Sequence, residues 1–368
     1  MKIISLFNNK GGVGKSTLAF HLSHILAEMG HKTLIIDLDP QCNLTVFSMD
    51  EERLHNIWKE EDSFIDDFDS AVDKIGRKAF ADIVSRPKTI HFLLKPTEDG
   101  SVNSLSDFEI PPPVEISKNL ALIPGRLTIH KYENKISERW AGLYQGDPLA
   151  IRTITDIRSI AENYAKKYDY EYIIIDTSPN LGALNKVIIS TVDGFLIPAF
   201  PDMFSLYGIR NIGASLDKWN SEFEIIYSLI SIDKRKRFPE KFVRFLGYTI
   251  YNAKKYKSKN DNLALAHSNY AQKIPSTIKE FISENIRKHL TDDMVDNPIG
   301  NSSIMLSHNT LVTMAQKYKT PMWNVPNLES LEPVDKNTIA GNKQSYFSTK
   351  EKYIDFAKDF LKRIETLG

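Results

Sequence analysis

The residues best placed to do chemistry sit in one run near the N-terminus, Lys10-Gly11-Gly12-Val13-Gly14-Lys15-Ser16-Thr17. Glycines let successive backbone N–H groups converge, and a helix starting near Lys15 points its positive end at the same place, which together suit phosphate oxygens. Lys15 can then reach the β- and γ-phosphates of a nucleotide, and the Ser16 hydroxyl can be offered to Mg2+. The run departs from G-x-x-x-x-G-K-[ST] at one position, where Asn9 stands in place of the first glycine and Lys10 follows it. Lys10 therefore sits on the loop side, able to contact phosphate from outside. Two acids, Asp37 and Asp39, are spaced so that in an extended segment both carboxylates face one side. Such a pair serves a metal and a water, or simply a solvated turn or helix cap.

These groups need a scaffold that brings them together. Residues 2–8 form a short apolar run, the loop follows, and Leu18, Leu22, Ile25, Leu26 and Met29 then recur at helical spacing. A second apolar run, 33–37, completes a βαβ unit, whose parallel sheet carries its ligand crevice at the strand C-termini. Further strands are expected at 120–123, 172–176, 194–199, 225–230 and 245–251, with a helix over 154–168. The expectation is an α/β P-loop NTPase fold, a mostly parallel sheet with helices on both faces. It forms one domain over residues 1–368 with candidate insertions at 50–115 and 231–300. Within these lie an acidic stretch (50–73), a polar, proline-ending stretch (96–113) and a basic stretch (234–259) that read as insertions or loops.

Composition narrows the class. The 368 residues carry 47 Lys+Arg against 47 Asp+Glu, which rules out a uniformly basic nucleic-acid coat, so any binding patch must be local. Cys42 is the single cysteine; it excludes an intramolecular disulfide and a Cys/His metal framework and fits a reducing cytosol. No apolar run approaches the roughly twenty residues of a membrane span.

The run KGGVGKST at the end of a first strand resembles the ParA/MinD group of deviant-Walker-A ATPases. Asp37-Leu38-Asp39-Pro40-Gln41-Cys42-Asn43-Leu44-Thr45 is similar to the DxDPQxNLT segment of its ParA (Soj-like) branch. Tyr172 to Asp176 followed by Thr177-Ser178-Pro179-Asn180-Leu181-Gly182 resembles the family's Walker B strand and switch. The resemblance implies that ATP is bound with Mg2+ by residues 11–17 and sandwiched in a homodimer, with Lys10 reaching the partner's nucleotide. It further implies that Asp39 positions or activates the attacking water, Asp176 holds Mg2+ through water, and Asp37 supports that region. Asn252, after the strand at 245–251, lies where relatives place an adenine-contacting asparagine. Ser258-Lys259-Asn260-Asp261 is a near miss to a guanine-reading [NT]-K-x-D, and ATP is preferred on family grounds.

Partner surfaces are legible as charge. From residue 233 to 259 ten basic residues (Lys234, Arg235, Lys236, Arg237, Lys241, Arg244, Lys254, Lys255, Lys257, Lys259) face Asp233 and Glu240, a patch for DNA of any sequence or a solvated loop. Residues 50–73 hold ten acids against Arg53 and Lys59, which reads as a solvated helix face. The C-terminal apolar stripe Tyr353, Phe356, Phe360, Ile364 is expected to dock on the protein's own core instead of a membrane. Because the loop opens at Lys10, no helix-turn-helix is expected before it. The resemblance thus implies a cytoplasmic, nucleoid-associated partition or cargo-positioning ATPase with a ParB-like activator. The alternatives are a MinD-like membrane-recruited regulator or an ATP-gated switch subunit of a larger defence, secretion or polysaccharide-synthesis assembly.

Overall fold

The computed structural model describes residues 1–101, 109–251, 265–301 and 310–368. Seven strands form one sheet in the order β3-β4-β2-β5-β1-β6-β7. They are β1 (Lys2–Leu6), β2 (Thr33–Asp37), β3 (Val114–Ser117), β4 (Leu120–Ile123), β5 (Tyr172–Asp176), β6 (Gly194–Ala199) and β7 (Arg244–Ile250). All pairings are parallel except β3 on β4 at the edge. The inner strands are largely apolar because both faces are covered, whereas the edge strand β3 exposes Glu115 and Ser117; alternate side chains feed different layers. Ile3, Leu34, Ile36, Ile173 and Ile175 enter one core; Ile4, Leu6, Ile35 and Ile174 enter the other.

The first core is covered by α3 (Glu51–Asp66), α4 (Phe68–Val84), α5 (Ile90–Asp99), α6 (His130–Arg139), α7 (Pro148–Tyr168), α8 (Ala183–Thr191) and α9 (Met203–Leu229). The second is covered by α1 (Lys15–Glu28), α2 (Asn43–Ser48) and the C-terminal helix Lys343–Glu365. That last helix buries Tyr346, Tyr353, Phe356, Phe360 and Ile364, so its apolar stripe packs on the protein's own core as expected. Among the described residues no helix is long and apolar enough to cross a membrane.

Three expectations change. Residues 225–229 are not a strand but the end of α9, whose inward positions Leu216, Trp219, Phe223 and Ile226 recur at three and four residues. A short aliphatic run carries no period of its own, and the 27-residue helix entering it decides the matter. The acidic stretch is not a loop but helical, in keeping with its reading as a helix face: it holds α3 and the opening of α4, each N-capped by an aspartate, Asp50 and Asp67. Residues 96–99 are the end of α5, which runs through Pro96, residues 102–108 lie outside the described residues, and β3 forms the antiparallel edge just beyond the stretch.

On α1, His24 is buried, its ring tilted against that of Phe20 with centroids 4.4 Å apart, and its Nε2 has no hydrogen-bond partner among the described residues. Burial pushes its pKa down to about 4, against the pull of Glu28. The unfolded chain therefore binds a proton that the fold refuses between about pH 6.5 and 4, so stability is lost as the pH falls through that window. Chemical denaturation at pH 7 and pH 4.5 should show His24→Leu losing less stability on acidification than the parent, by on the order of 2 kcal/mol. Equal losses would mean that His24 does not titrate in that window.

Candidate functional site: a phosphate loop facing three acids

The strand register assembles the site. Leu6 pairs with Asp176, and Asp176 pairs with Asp37, so the C-terminal ends of β1, β5 and β2 are level, with the phosphate loop leaving β1. Gly12 (φ 74°) and Gly14 (φ 82°) take left-handed conformations that only glycine adopts without strain. Gly14 is pressed beneath Tyr251, whose Oη meets Tyr353 Oη at 3.2 Å. Lys15 opens α1 and its ammonium donates to the carbonyls of Asn8 (3.2 Å) and Lys10 (3.4 Å), inside the loop's curve.

Electrostatically the site is short of positive charge. Burial lowers the pKa of Lys15 while Asp176 and Asp39 pull it upward. Asp176 is pushed up to about 8, chiefly by burial and then by Asp37, with the nearby Ser16 hydroxyl opposing the shift. Asp176 Oδ1 accepts from the Thr177 N–H, whereas Oδ2 is buried without a well-formed hydrogen bond among the described residues. An orphan carboxylate oxygen beside a serine hydroxyl fits a bound cation. Among the described residues no group of three His, Cys, Asp or Glu could hold a metal alone. Mg2+ arriving with a nucleotide takes only one or two protein ligands beside the phosphates, and Ser16 and Asp176 suit that requirement.

Asp37 and Asp39 divide their work. Asp37 is fully buried and its oxygens accept from the Asp39 N–H (3.1 Å), the Thr45 N–H (2.8 Å) and the Thr45 hydroxyl (2.6 Å). Burial pushes it up to about 6. Asp39, two residues further along, accepts from Gln41 N–H at 2.9 Å and is close enough to Lys15 to raise that lysine's pKa. Residues 177–182 begin beside β1 and the loop: Thr177 Oγ1 donates to the Leu6 carbonyl at 2.7 Å, and a Cβ on Gly11 would stand 3.9 Å from Pro179. Asn185 Nδ2 gathers the carbonyls of Ser178 (2.9 Å) and Asn180 (2.8 Å).

Lys10 stands apart from these residues. Its ammonium pairs with Asp202 and lies 5.0 Å from the centre of the Phe200 ring and 5.8 Å from that of Phe204. Beside it Met203, Phe204 and Tyr207 are exposed, Phe204 by 66%. Asn252 lies outside the described residues, as do Lys254, Lys255, Lys257 and Lys259. Within the basic stretch, Lys234 donates to the Gly146 carbonyl and Arg235 to those of Ile230 and Ser228, while Lys236, Arg237 and Lys241 are exposed. Sequence reasoning missed Asn185, Asp202 and Tyr251. Of these only Asp202 left a signal, as a capping aspartate three residues before Ser205, whose N–H it accepts at 2.9 Å.

Residues 1–226 match the AAA domain family AAA_31. A ParA family protein, MG470 of Mycoplasma genitalium, is 26% identical over 271 residues, 72% of this chain and 81% of that protein. The sporulation initiation inhibitor Soj of Bacillus subtilis is 26% identical over 211 residues, 57% of this chain and 63% of Soj. An uncharacterized protein of Methanocaldococcus jannaschii is 33% identical over 213 residues, 57% of this chain and 63% of that protein. The chain thus spans less than two thirds of the length of these last two relatives. Among solved structures, ParA of pNOB8 bound to nonspecific DNA covers 99% of this chain and 98% of its own at 17% identity and a TM-score of 0.54. A Cyanothece McdA variant in complex with ATP covers 100% of this chain and 96% of its own at 16% identity and a TM-score of 0.55. The fold is shared with both, and the chain belongs to the AAA_31 family, with similarity to its ParA and Soj relatives.

Proposed function

We propose that the chain is a Mg2+-dependent ATPase that dimerises around ATP, binds DNA without regard to sequence in that state, and is reset by hydrolysis. Its role is partition of DNA or positioning of another cargo, stimulated by a ParB-like partner, in the cytoplasm and on the nucleoid. The observation that carries the reading is the orphan Asp176 oxygen beside Ser16 and Lys15 at the level ends of β1, β5 and β2. When bound, Mg2+ would neutralise phosphate charge, with Ser16 and Asp176 holding it and Asp37 supporting them. The N–H groups of residues 11–17 cradle the phosphates, Lys15 draws charge toward the β–γ bridge, and Asp39 holds the attacking water. Asn252 would face the adenine.

Lys10 supports the dimer: it points out of its own loop, amid exposed Met203, Phe204 and Tyr207, a surface that a second copy would cover. The buried stripe of the C-terminal helix favours DNA over a membrane, since that apolar face is spent on the core. For DNA, the exposed Lys236, Arg237 and Lys241 are the phosphate contacts: Lys234 and Arg235 are committed to backbone carbonyls, whereas Lys236 holds only an exposed ion pair with Asp233 that a phosphate can replace. Anisotropy titrations on unrelated duplexes should show equal affinities that fall steeply with salt. ATP should strengthen binding over ADP, since two patches then share one particle. Replacing Lys236, Arg237 and Lys241 with Gln should flatten the salt slope by about one unit for each phosphate no longer neutralised. Lys10→Ala should erase the advantage of ATP while leaving the weak ADP-state binding in place. Identical binding with ATP and ADP in the parent chain would sink the nucleotide-gated reading.

A further inference from the structure

A chain of hydrogen bonds links the proposed water-holding acid to a helix of the acidic stretch. From Asp39 it runs through the backbone N–H to Asp37 Oδ1 (3.1 Å), and from Asp37 Oδ2 to the Thr45 hydroxyl (2.6 Å). Thr45 Oγ1 accepts in turn from the Gly125 N–H (2.8 Å), and the Gly125 carbonyl accepts from Trp58 Nε1 on α3 (3.1 Å). Gly125 is held close: a Cβ there would lie 3.1 Å from Asp37 O and from Cys42 Sγ. The far end is anchored as well. Arg126 donates to the Trp58 carbonyl (2.8 Å) and pairs with Asp62 and with the buried Glu61 (3.3 Å). Glu61 in its turn accepts from the N–H and hydroxyl of Thr89, both at 2.7 Å.

Core packing alone does not explain this arrangement. A tryptophan filling space at a partly solvated position needs no protein partner for its indole N–H, and Trp58 is only partly buried. Here the N–H is aimed at the carbonyl of the residue whose own N–H supports Thr45. Both of the threonine's bonds to Asp37 set the direction of that carboxylate, and with it the turn that presents Asp39.

We propose that Trp58 and Thr45 are positioning residues for hydrolysis, and that α3 sets the place of Asp39 through Gly125. The inference rests on the reading of Asp39 as the holder of the water. Neither residue touches the substrate, so neither acts on binding; both act on how often Asp39 stands in the productive place.

The test separates that role from a structural one. Trp58→Phe keeps an aromatic ring and removes the N–H; it should lower kcat about three- to tenfold, the worth of one buried hydrogen bond, with KM and ATP affinity unchanged within about twofold. Thr45→Val should lower kcat further, and Thr45→Ser, which restores the hydroxyl, should recover it. In an Asp39→Ala background Trp58→Phe should change the residual rate not at all, since residues acting as one unit are non-additive. Full kcat in folded Trp58→Phe, or an equal proportional drop in the Asp39→Ala background, would overturn the relay. Should Trp58→Phe fail to fold, the Thr45→Val and Thr45→Ser pair decides alone. Brisk turnover by Asp39→Ala itself would instead remove the functional reading beneath, a separate and recognisable failure.

Discussion

Asp39→Ala should bind ATP as tightly as the parent chain yet release phosphate at least about a hundredfold more slowly, while Lys15→Ala should bind the nucleotide about a hundredfold or more weakly. The two residues are neighbours in charge but differ in place. Lys15 is buried at the start of α1 with its ammonium inside the loop, where it donates to the carbonyls of Asn8 and Lys10. Those are weak partners for a desolvated charge, and a phosphate would be a far stronger one. Removing the ammonium takes away the attraction and leaves the Asp39 carboxylate facing the phosphates without a counter-charge, so affinity should fall by on the order of a hundredfold or more. Asp39 sits on the turn after β2, outside the cradle of N–H groups, and so contributes little to ground-state binding. Equilibrium nucleotide binding and phosphate release, measured on both variants, give the answer. Weakened affinity in Asp39→Ala with normal turnover per bound ATP would reverse the assignment.

Gly14→Ala should be the most damaging single-methyl change in the phosphate loop. At φ 82° an L side chain is strained by roughly 1–2 kcal/mol. The added Cβ would also stand 2.2 Å from Tyr251 Cδ1, an overlap that cannot be borne in place. Tyr251 has little room to yield, since its hydroxyl is tied to Tyr353 in a buried cluster. Either the ring or the loop moves, and the loop carries the N–H groups proposed to face the phosphates. Gly12→Ala is the control, with a similar φ of 74° but no described atom within 4 Å of its added Cβ. Gly14→Ala should therefore lose about 3 kcal/mol or more of stability together with nucleotide binding. Gly12→Ala should lose only the strain. Denaturant melts and nucleotide titrations on the pair would decide; equal damage from both would mean that contact with Tyr251 does not shape the loop.

Much of the site could be read from sequence because its parts are local. The glycines, Lys15 and Ser16 are adjacent in the chain, and a strand before and a helix after are enough to orient them. Asp37 and Asp176 terminate apolar runs, and in a parallel sheet covered on both faces the end of such a run is the crevice. The same logic fails at residues 225–229, where a few aliphatic residues fit either period and only the long helix packed through Phe223 and Ile226 settles which. It fails again for the basic stretch, in which charge is visible but its use is not. Lys234 and Arg235 count as phosphate ligands in a composition and as backbone anchors in space.

What the sequence determined by itself is the phosphate loop, the two acid-ended strands and the parallel α/β class, since each follows from residues within one element or its immediate turn. How distant elements press on that site follows from folding alone. Tyr251 roofs Gly14 from β7's end, Asp202 takes hold of Lys10 from the start of α9, and Trp58 reaches Asp37 through Gly125 and Thr45. A hydrogen bond or an aromatic contact forms between partners far apart in the chain only after burial has brought their backbones close. No periodicity or spacing records which partner each will meet.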